Sequence, residues 1–237
     1  MLLNPKIDNY EHLDKHSREL VKKTASFFEN KGLKKLKEDD HERVWYSDLI
    51  DFSSKEGIFS SFLTPPPFGD ENSRWDTFRN SQFSEVLGFY GLCYWYVWQV
   101  TILGLGPIWM SKNKVVQKRT AELLKKGGIF AYGLSEKDHG ADIYSTEMQL
   151  IPQKEGTYIA RGEKYYIGNA NEAALVSIFG KMSGTDEYVF FVVDSQHDKF
   201  ECVQNVTNSQ NYVAEFKLND YPITDADILA VGRDAWD

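Results

Sequence analysis

The sequence predicts an α+β chain of two domains, an all-helical N-terminal domain over 1–128 and a small antiparallel β-barrel domain over 129–237. Three observations point there. Apolar residues recur at helical spacing as far as Gly127-Gly128. Beyond that pair the period shortens to two, with short apolar stretches separated by turn residues. Composition is that of a globular protein: 42% hydrophobic and 26% charged residues in a chain of 237. That balance excludes disordered and collagen-like chains, and the length suffices to bury a core without disulfide or metal staples.

In the first half, Tyr10 to Lys31 reads as a helix through Leu13, Leu20, Val21, Ala25 and Phe28. Glu42 to Ile50 allows a turn or two. Asp51 to Asn80 is punctuated by Ser53-Ser54, Ser60-Ser61, Pro65-Pro66-Pro67 and Gly69, and reads as loop. A helix capped near Ser81 to Ser84 should present Phe89, Leu92, Tyr96, Val100 and Leu103 as one buried stripe. Another, from Asn113 to Lys126, should bury Val115, Val116, Ala121, Leu123 and Leu124 and stop at the glycine pair.

In the second half, strands are expected at Ile129 to Leu134 and Glu147 to Ile151. Thr157 to Arg161 and Lys164 to Ile167 flank Gly162-Glu163, which reads as a hairpin turn. Leu175 to Lys181 and Tyr188 to Asp194 flank the turn Ser183-Gly184-Thr185-Asp186. Tyr188 to Val193 is apolar throughout, as in a strand covered on both faces. Tyr212, Ala214, Phe216 and Leu218 alternate with Val213, Glu215 and Lys217. Many short strands suggest a closed barrel or sandwich.

Val86 to Ser111 carries no charge and is long enough to span a bilayer. Pro107 with Gly104 and Gly106 should end its helical part near Leu103, and its aromatics sit mid-run rather than at two interfaces. A buried core helix is expected, with no membrane span. Net charge is 27 − 35 = −8, which argues against nonspecific nucleic-acid binding. The basic tracts Lys31 to Lys37 and Lys112 to Lys126 read as solvated helix faces. Two cysteines, Cys93 and Cys202, make no disulfide framework or zinc site, and a reducing, cytoplasmic setting fits. No secretory signal pattern opens the chain.

The chemistry concentrates between Ile129 and Asn171. The stretch Gly133 to Asp142 places five titratable groups directly after a strand. Glu136, Asp138, His139 and Asp142 have metal-ligating atoms, but their spacing matches no ligand motif. Ser135 and His139 could pair as nucleophile and base, yet no third group is implied. A polar loop closing a barrel mouth is one reading. The other is a loop that holds a ligand, with the Ser135 hydroxyl donating and Gly140-Ala141 admitting close approach. The second stretch, Gly162 to Asn171, places Tyr165 and Tyr166 on opposite faces of a strand, one for the core and one for a groove. A flat heteroaromatic ligand would suit both stretches together.

Together the two stretches resemble the acyl-CoA dehydrogenase family of flavoproteins. The family pattern is Thr/Ser-Glu-Pro-x-x-Gly-Ser-Asp, followed about fifteen to thirty residues later by Gly-x-Lys-aromatic-Trp-Ile-Thr-Asn. Here they stand as Ser135-Glu136-Lys137-Asp138-His139-Gly140-Ala141-Asp142 and Gly162-Glu163-Lys164-Tyr165-Tyr166-Ile167-Gly168-Asn169. Leu105-Gly106-Pro107-Ile108, Ala214 through Pro222, and Asp227 to Gly232 are similar to further family segments.

The resemblance implies FAD as cofactor. Tyr132, Leu134 and Ser135 would meet the flavin pyrimidine edge, and Gly140 and Ala141 the cofactor diphosphate and acyl-CoA. Tyr166 would stack on the isoalloxazine where the family has Trp, and Gly168 stands where a Thr bonds the reactive nitrogen. Gly168, Ala141 and Lys137 depart from the pattern, and the first two remove hydroxyl donors. The implied reaction is α,β-dehydrogenation of an acyl-CoA in fatty acid metabolism, with electrons leaving to an electron-transfer flavoprotein or another acceptor. An acyl-CoA oxidase, a flavin-dependent hydroxylase, and a noncatalytic flavin- or acyl-binding chain that needs a partner are the alternatives. The family's carboxylate base sits in a C-terminal helical bundle that also builds the homo-oligomer. The stretch Val231 to Asp237 falls where that bundle would begin, so an incomplete, truncated chain with an exposed apolar patch is expected. No catalytic residue and no metal ligand is assigned.

Overall fold

A computed structural model describes residues 4–185 and 187–235. Asp186 of the expected Ser183–Asp186 turn, and Trp236 and Asp237 of the final stretch, lie outside the described residues. The chain divides into two compact units. One comprises Met1–Gln99, Leu123–Gly128 and Asn208–Asn211; the other comprises Val100–Glu122, Ile129–Thr207 and Tyr212–Asp237.

In the first unit, α1 (Lys15–Glu42) starts under Asp14, whose carboxylate accepts the Ser17 N–H at 3.0 Å. Leu20, Val21, Thr24, Ala25 and Phe28 form its buried stripe. The helical pattern does not stop at Lys31. Gly32 leaves helical geometry at φ +78°, and a second helical stretch runs on to Glu42. Lys31 is no solvated residue, because it ion-pairs with Asp39 at 2.8 Å and Asp48 at 2.6 Å.

The stretch read as loop is largely helical. α2 covers Ser47–Lys55, α3 covers Ile58–Leu63, and α4 covers Thr77–Tyr90, starting under Asp76 rather than a serine. Ile58, Phe59, Phe62 and Leu63 are all buried, so packing overrides the punctuation. The serines tolerate this by bonding locally: Ser60 Oγ donates to the Gly57 carbonyl at 3.0 Å. An aromatic core links Phe62 to Phe83 at 4.9 Å and Phe83 to Trp98 at 4.7 Å between centroids.

Two helices share the uncharged run. Gly91 ends α4, and α5 (Leu92–Met110) continues through Pro107 instead of ending near Leu103. The break at Gly91 resets the helical phase, so of the expected stripe Val100 is buried and Tyr96 half-buried while the other three are exposed. Phe89, Leu92 and Leu103 are 45%, 73% and 44% exposed, whereas Tyr94, Val97, Trp98, Thr101, Leu105 and Ile108 are buried. Among the described residues, no helix is long and apolar enough to cross a membrane. α6 (Lys114–Lys125) buries Val116, Ala121 and Leu124 but leaves Val115 exposed. It stops where the Gly127 N–H bonds the Leu124 carbonyl and the Gly128 N–H bonds that of Leu123, the two bonds of a Schellman motif.

Among the described residues, the second unit holds eight strands: β1 (Phe130–Gly133), β2 (Gln149–Pro152), β3 (Thr157–Gly168), β4 (Leu175–Met182), β5 (Tyr188–Val193), β6 (Phe200–Asn205), β7 (Val213–Thr224) and β8 (Ile228–Val231). Their order is β6-β7-β3-β2-β4-β5-β8, with β1 also on β4. The sheet is mixed and open, which corrects the expected antiparallel barrel. β1 runs parallel to Leu175–Ile178 and β2 parallel to Lys181–Met182, so both short strands lie along one edge of β4. A long excursion between them, rather than a tight turn, preserves the chain direction.

Gly162-Glu163 is not a hairpin turn, because β3 runs straight through it. Gly162 sits at φ +146° at a register shift against β7, and a Cβ there would lie 2.9 Å from Met148 Cα. The core gathers Ala160, Val176, Ile178, Val189, Phe191, Ala214, Phe216 and Leu218.

Gly104 of α5 brings the helix against β1: a Cβ there would fall 2.6 Å from the backbone N and O of Ala131. Ser177 donates to the Gly104 carbonyl at 2.7 Å. Gly104→Ala should therefore destabilise the chain by about 1–3 kcal/mol despite alanine's better helix propensity. Urea unfolding monitored by far-UV circular dichroism checks this; a gain in stability contradicts it.

Asp14 gives a pH dependence. Burial pushes its carboxyl up, but the bonds from Ser17 and Arg74 prevail and hold it well below the usual carboxylate range. A carboxyl so lowered contributes stability above its ordinary pKa and loses it as pH falls through the folded value. Asp14→Asn should flatten the acid limb of stability against pH, measured as urea midpoints from neutral to acid.

Candidate functional site

The chain leaves the sheet after β1 at Leu134 and rejoins it at β2, and Glu136 ties the neck of this excursion. Its carboxylate accepts from the Thr146 hydroxyl, from the Glu147 N–H at 2.8 Å, and from Lys164 Nζ at 2.7 Å. Lys164 Nζ also donates to the Leu134 carbonyl at 2.9 Å and lies 3.3 Å from Thr146 Oγ1. The Lys164 side chain is fully buried. Burial pushes its ammonium down, to about 8, against the pull of Glu136. Burial would raise the Glu136 carboxyl, but the Lys164 cation and the converging donors hold it below its ordinary value.

β3 then makes the feature that exposes an aromatic ring. Lys164 pairs with Phe216 and Ile167 with Ala214, so three steps on β3 match two on β7. That one-residue bulge keeps both Lys164 and Ile167 buried. The added residue is accommodated with Tyr166 at φ +67°, a left-handed conformation uncommon for a bulky side chain, and its ring is 58% exposed. The expected alternation of Tyr165 and Tyr166 between core and groove fails for this reason. Neither ring enters the core; they stand 6.3 Å apart at 42°.

Three links stitch the start of the excursion to the end of β3. The Tyr165 N–H donates to the Ser135 carbonyl at 2.9 Å, Lys164 reaches Leu134 and Glu136, and the Asn169 amide donates to the Phe130 carbonyl at 3.2 Å. Of the residues singled out in the sequence, Tyr132, Leu134, Ser135, Tyr166 and Gly168 all sit on these stitched segments. Ser135 is half-buried, and its hydroxyl forms no hydrogen bond among the described residues. Tyr132 stacks on Phe190 at 6.0 Å, and burial raises its phenol pKa. Gly168 is buried and pairs with Val213. Gly140 and Ala141 lie apart in the exposed turn of the excursion, where a Cβ on Gly140 would meet nothing within 4 Å.

His139 does not pair with Ser135. Its ring lies 3.6 Å from the Glu147 carboxylate, and its backbone closes a tight turn with Glu136. Among the described residues, no group of three His, Cys, Asp or Glu could hold a metal ion. Sequence reasoning missed Lys164, Thr146 and Asn169 as organisers. Lys164 did carry a signal: it shares the inward phase of Ala160 along β3, an unusual place for a lysine.

Residues 131–219 match the family model described as acyl-CoA dehydrogenase, middle domain. That stretch is similar to an acyl-CoA dehydrogenase middle domain. The whole chain is 23% identical over 182 residues to a short-chain-specific acyl-CoA dehydrogenase of Megasphaera elsdenii, across 75% of this chain and 48% of that protein. The chain is similar in fold to butyryl-CoA dehydrogenase from the same organism. That likeness has a TM-score of 0.81 at 20% identity, over 92% of this chain and 59% of that one. An acyl-CoA dehydrogenase complexed with FAD from Bacillus anthracis gives a TM-score of 0.78 at 18% identity, over 98% of this chain and 40% of that one. A prolyl acyl carrier protein oxidase gives 0.77 at 19% identity, over 92% and 59%. The chain thus spans about half the length of the curated relative it matches.

Proposed function

We propose that this chain supplies the FAD-binding site of an oxidoreductase that dehydrogenates an acyl-CoA thioester between its α and β carbons. The observation that carries this reading is the Tyr165–Ser135 backbone bond at 2.9 Å. It ties the backbone of Ser135, whose hydroxyl is half-buried, to the residue just before the exposed Tyr166, so that one segment offers a donor for the edge of a flat heterocycle and the other a platform for its face.

In this reading Ser135 donates to the flavin's pyrimidine edge, together with backbone groups of Tyr132 and Leu134. Tyr166 offers its ring to the isoalloxazine. The open Gly140-Ala141 turn admits a phosphate or the thioester's nucleotide tail. FAD bound there supplies a two-electron acceptor for the hydride that leaves the β carbon. The α proton needs a carboxylate base. Glu136 is not that base, because its oxygens are taken by Lys164, Thr146 and the Glu147 N–H. Gly168 has no hydroxyl for the flavin's reactive nitrogen, so any bond there comes from its backbone. An electron-transfer flavoprotein or another acceptor would take the electrons, and self-association belongs to the same reading. Free Cys93 and Cys202 suit a reducing, cytoplasmic setting.

The test is a visible spectrum of the purified chain after incubation with FAD and gel filtration, then anaerobic addition of a short acyl-CoA. Retained flavin is the expected result, and bleaching on addition would place a carboxylate base within reach of the α carbon. No retained flavin overturns the reading that this chain holds FAD by itself.

A further inference from the structure

We propose that the buried cluster of Lys164, Glu136 and Thr146 is a positioning device that sets Ser135 against Tyr166 for the flavin, beyond its part in holding the fold. This rests on the flavin-binding reading. Lys164 touches both ends of the excursion, at Leu134 and Glu136 on the way out and at Thr146 on the way back. The next residue along β3 donates its N–H to Ser135, and the one after that is Tyr166. The proposed donor and the proposed platform therefore each lie within two positions of a group that Lys164 holds.

Two physical points favour a positioning role over stability alone. A buried ion pair is an inefficient stabiliser, since well-packed apolar residues of similar volume often do as well or better. And a tyrosine at φ +67° persists only where its surroundings over-determine it. Directly before Tyr166, β3 meets the excursion through Lys164, through the Tyr165 N–H and through the Lys137 ammonium 5.9 Å from the Tyr165 ring centroid.

The decisive comparison is the parent chain against the double variant Lys164→Met/Glu136→Gln, which removes both charges together and leaves no unpaired ion. The amide oxygen introduced by Glu136→Gln would still accept from the Glu147 N–H, so the neck stays tied. The variant should remain folded by circular dichroism while its FAD dissociation constant rises about tenfold, the worth of one charge-assisted hydrogen bond. Amide hydrogen exchange gives a readout without flavin. The Tyr165 N–H should exchange about tenfold faster in the variant, with the Ile178 amide in the sheet core unchanged. Thr146→Val, which removes one hydroxyl and no charge, should move both quantities the same way by less. Faster Tyr165 exchange with unchanged FAD affinity overturns positioning for the flavin and leaves a purely structural role. If the parent takes up no FAD, the flavin reading fails, whereas unchanged Tyr165 exchange overturns the positioning role itself.

Discussion

Lys164→Met should cost about 3–5 kcal/mol of unfolding free energy, because it strands the Glu136 carboxylate in the protein interior without its cation. Glu136 is 8% exposed and Lys164 fully buried, so water cannot replace the lost partner. Glu136→Gln in the same chain should restore most of that loss by removing the stranded charge. Urea denaturation of the two single variants and the double variant gives the coupling energy as a double-mutant cycle. A single variant as stable as the parent would contradict the account of the neck. The acid side carries a matching expectation. Glu136 is held below its ordinary value, so its contribution is present above that value and disappears as pH falls through the lowered one. Glu136→Gln should remove that part of the acid sensitivity.

Arg79→Leu should be of similar size, about 3–5 kcal/mol, in the helical unit. Arg79 is 1% exposed and its guanidinium stacks 4.4 Å from the Phe62 ring. It donates to Ser17 Oγ at 2.6 Å, to the Ser61 carbonyl at 3.3 Å and to the Asn72 carbonyl at 3.2 Å. Asp14 lies 3.9 Å away and supplies the counter-charge. One side chain thus ties α1, α3, the loop before α4 and α4 itself. Burial pushes its pKa down to about 10, which leaves it cationic at neutral pH. Arg79→Lys should not rescue, because a single ammonium on a shorter reach cannot serve that fan of acceptors. Thermal unfolding of both variants checks this, and full rescue by lysine would show that charge alone is what the site needs.

Much of the fold was legible because it depends on period and punctuation. The shift at Gly127-Gly128, the strands β1, β2, β4 and β5, and the Ala214, Phe216 and Leu218 face of β7 all follow from local pattern. The errors have physical causes. Ile58 to Leu63 is helical because its four large apolar residues are buried, which serine punctuation could not reveal. α5 runs through Pro107 because losing one N–H at a partly exposed turn is tolerable in a packed helix. The sheet is mixed because β1 and β2 share an edge of β4, a pairing between residues some forty positions apart.

The site divides in the same way. Ser135 and Tyr166 were visible as residue types in order. The exposure of Tyr166 depends on a bulge that alternation rules exclude, and the tie of β3 to the residues flanking Ser135 depends on a buried lysine that composition places outside. Tyr166 is exposed because one extra residue sits between Lys164 and Ile167, and no propensity scale marks that insertion.

The central claim is that Ser135 and Tyr166 form one flavin-binding surface. The most direct measurement is a fluorescence titration of FAD with the purified chain, repeated with Tyr166→Leu, which leaves the neck of the excursion intact. Saturable quenching of flavin emission by the parent, weakened or lost in the variant, is the predicted result. No saturable quenching by the parent, or identical quenching by the variant, would contradict it.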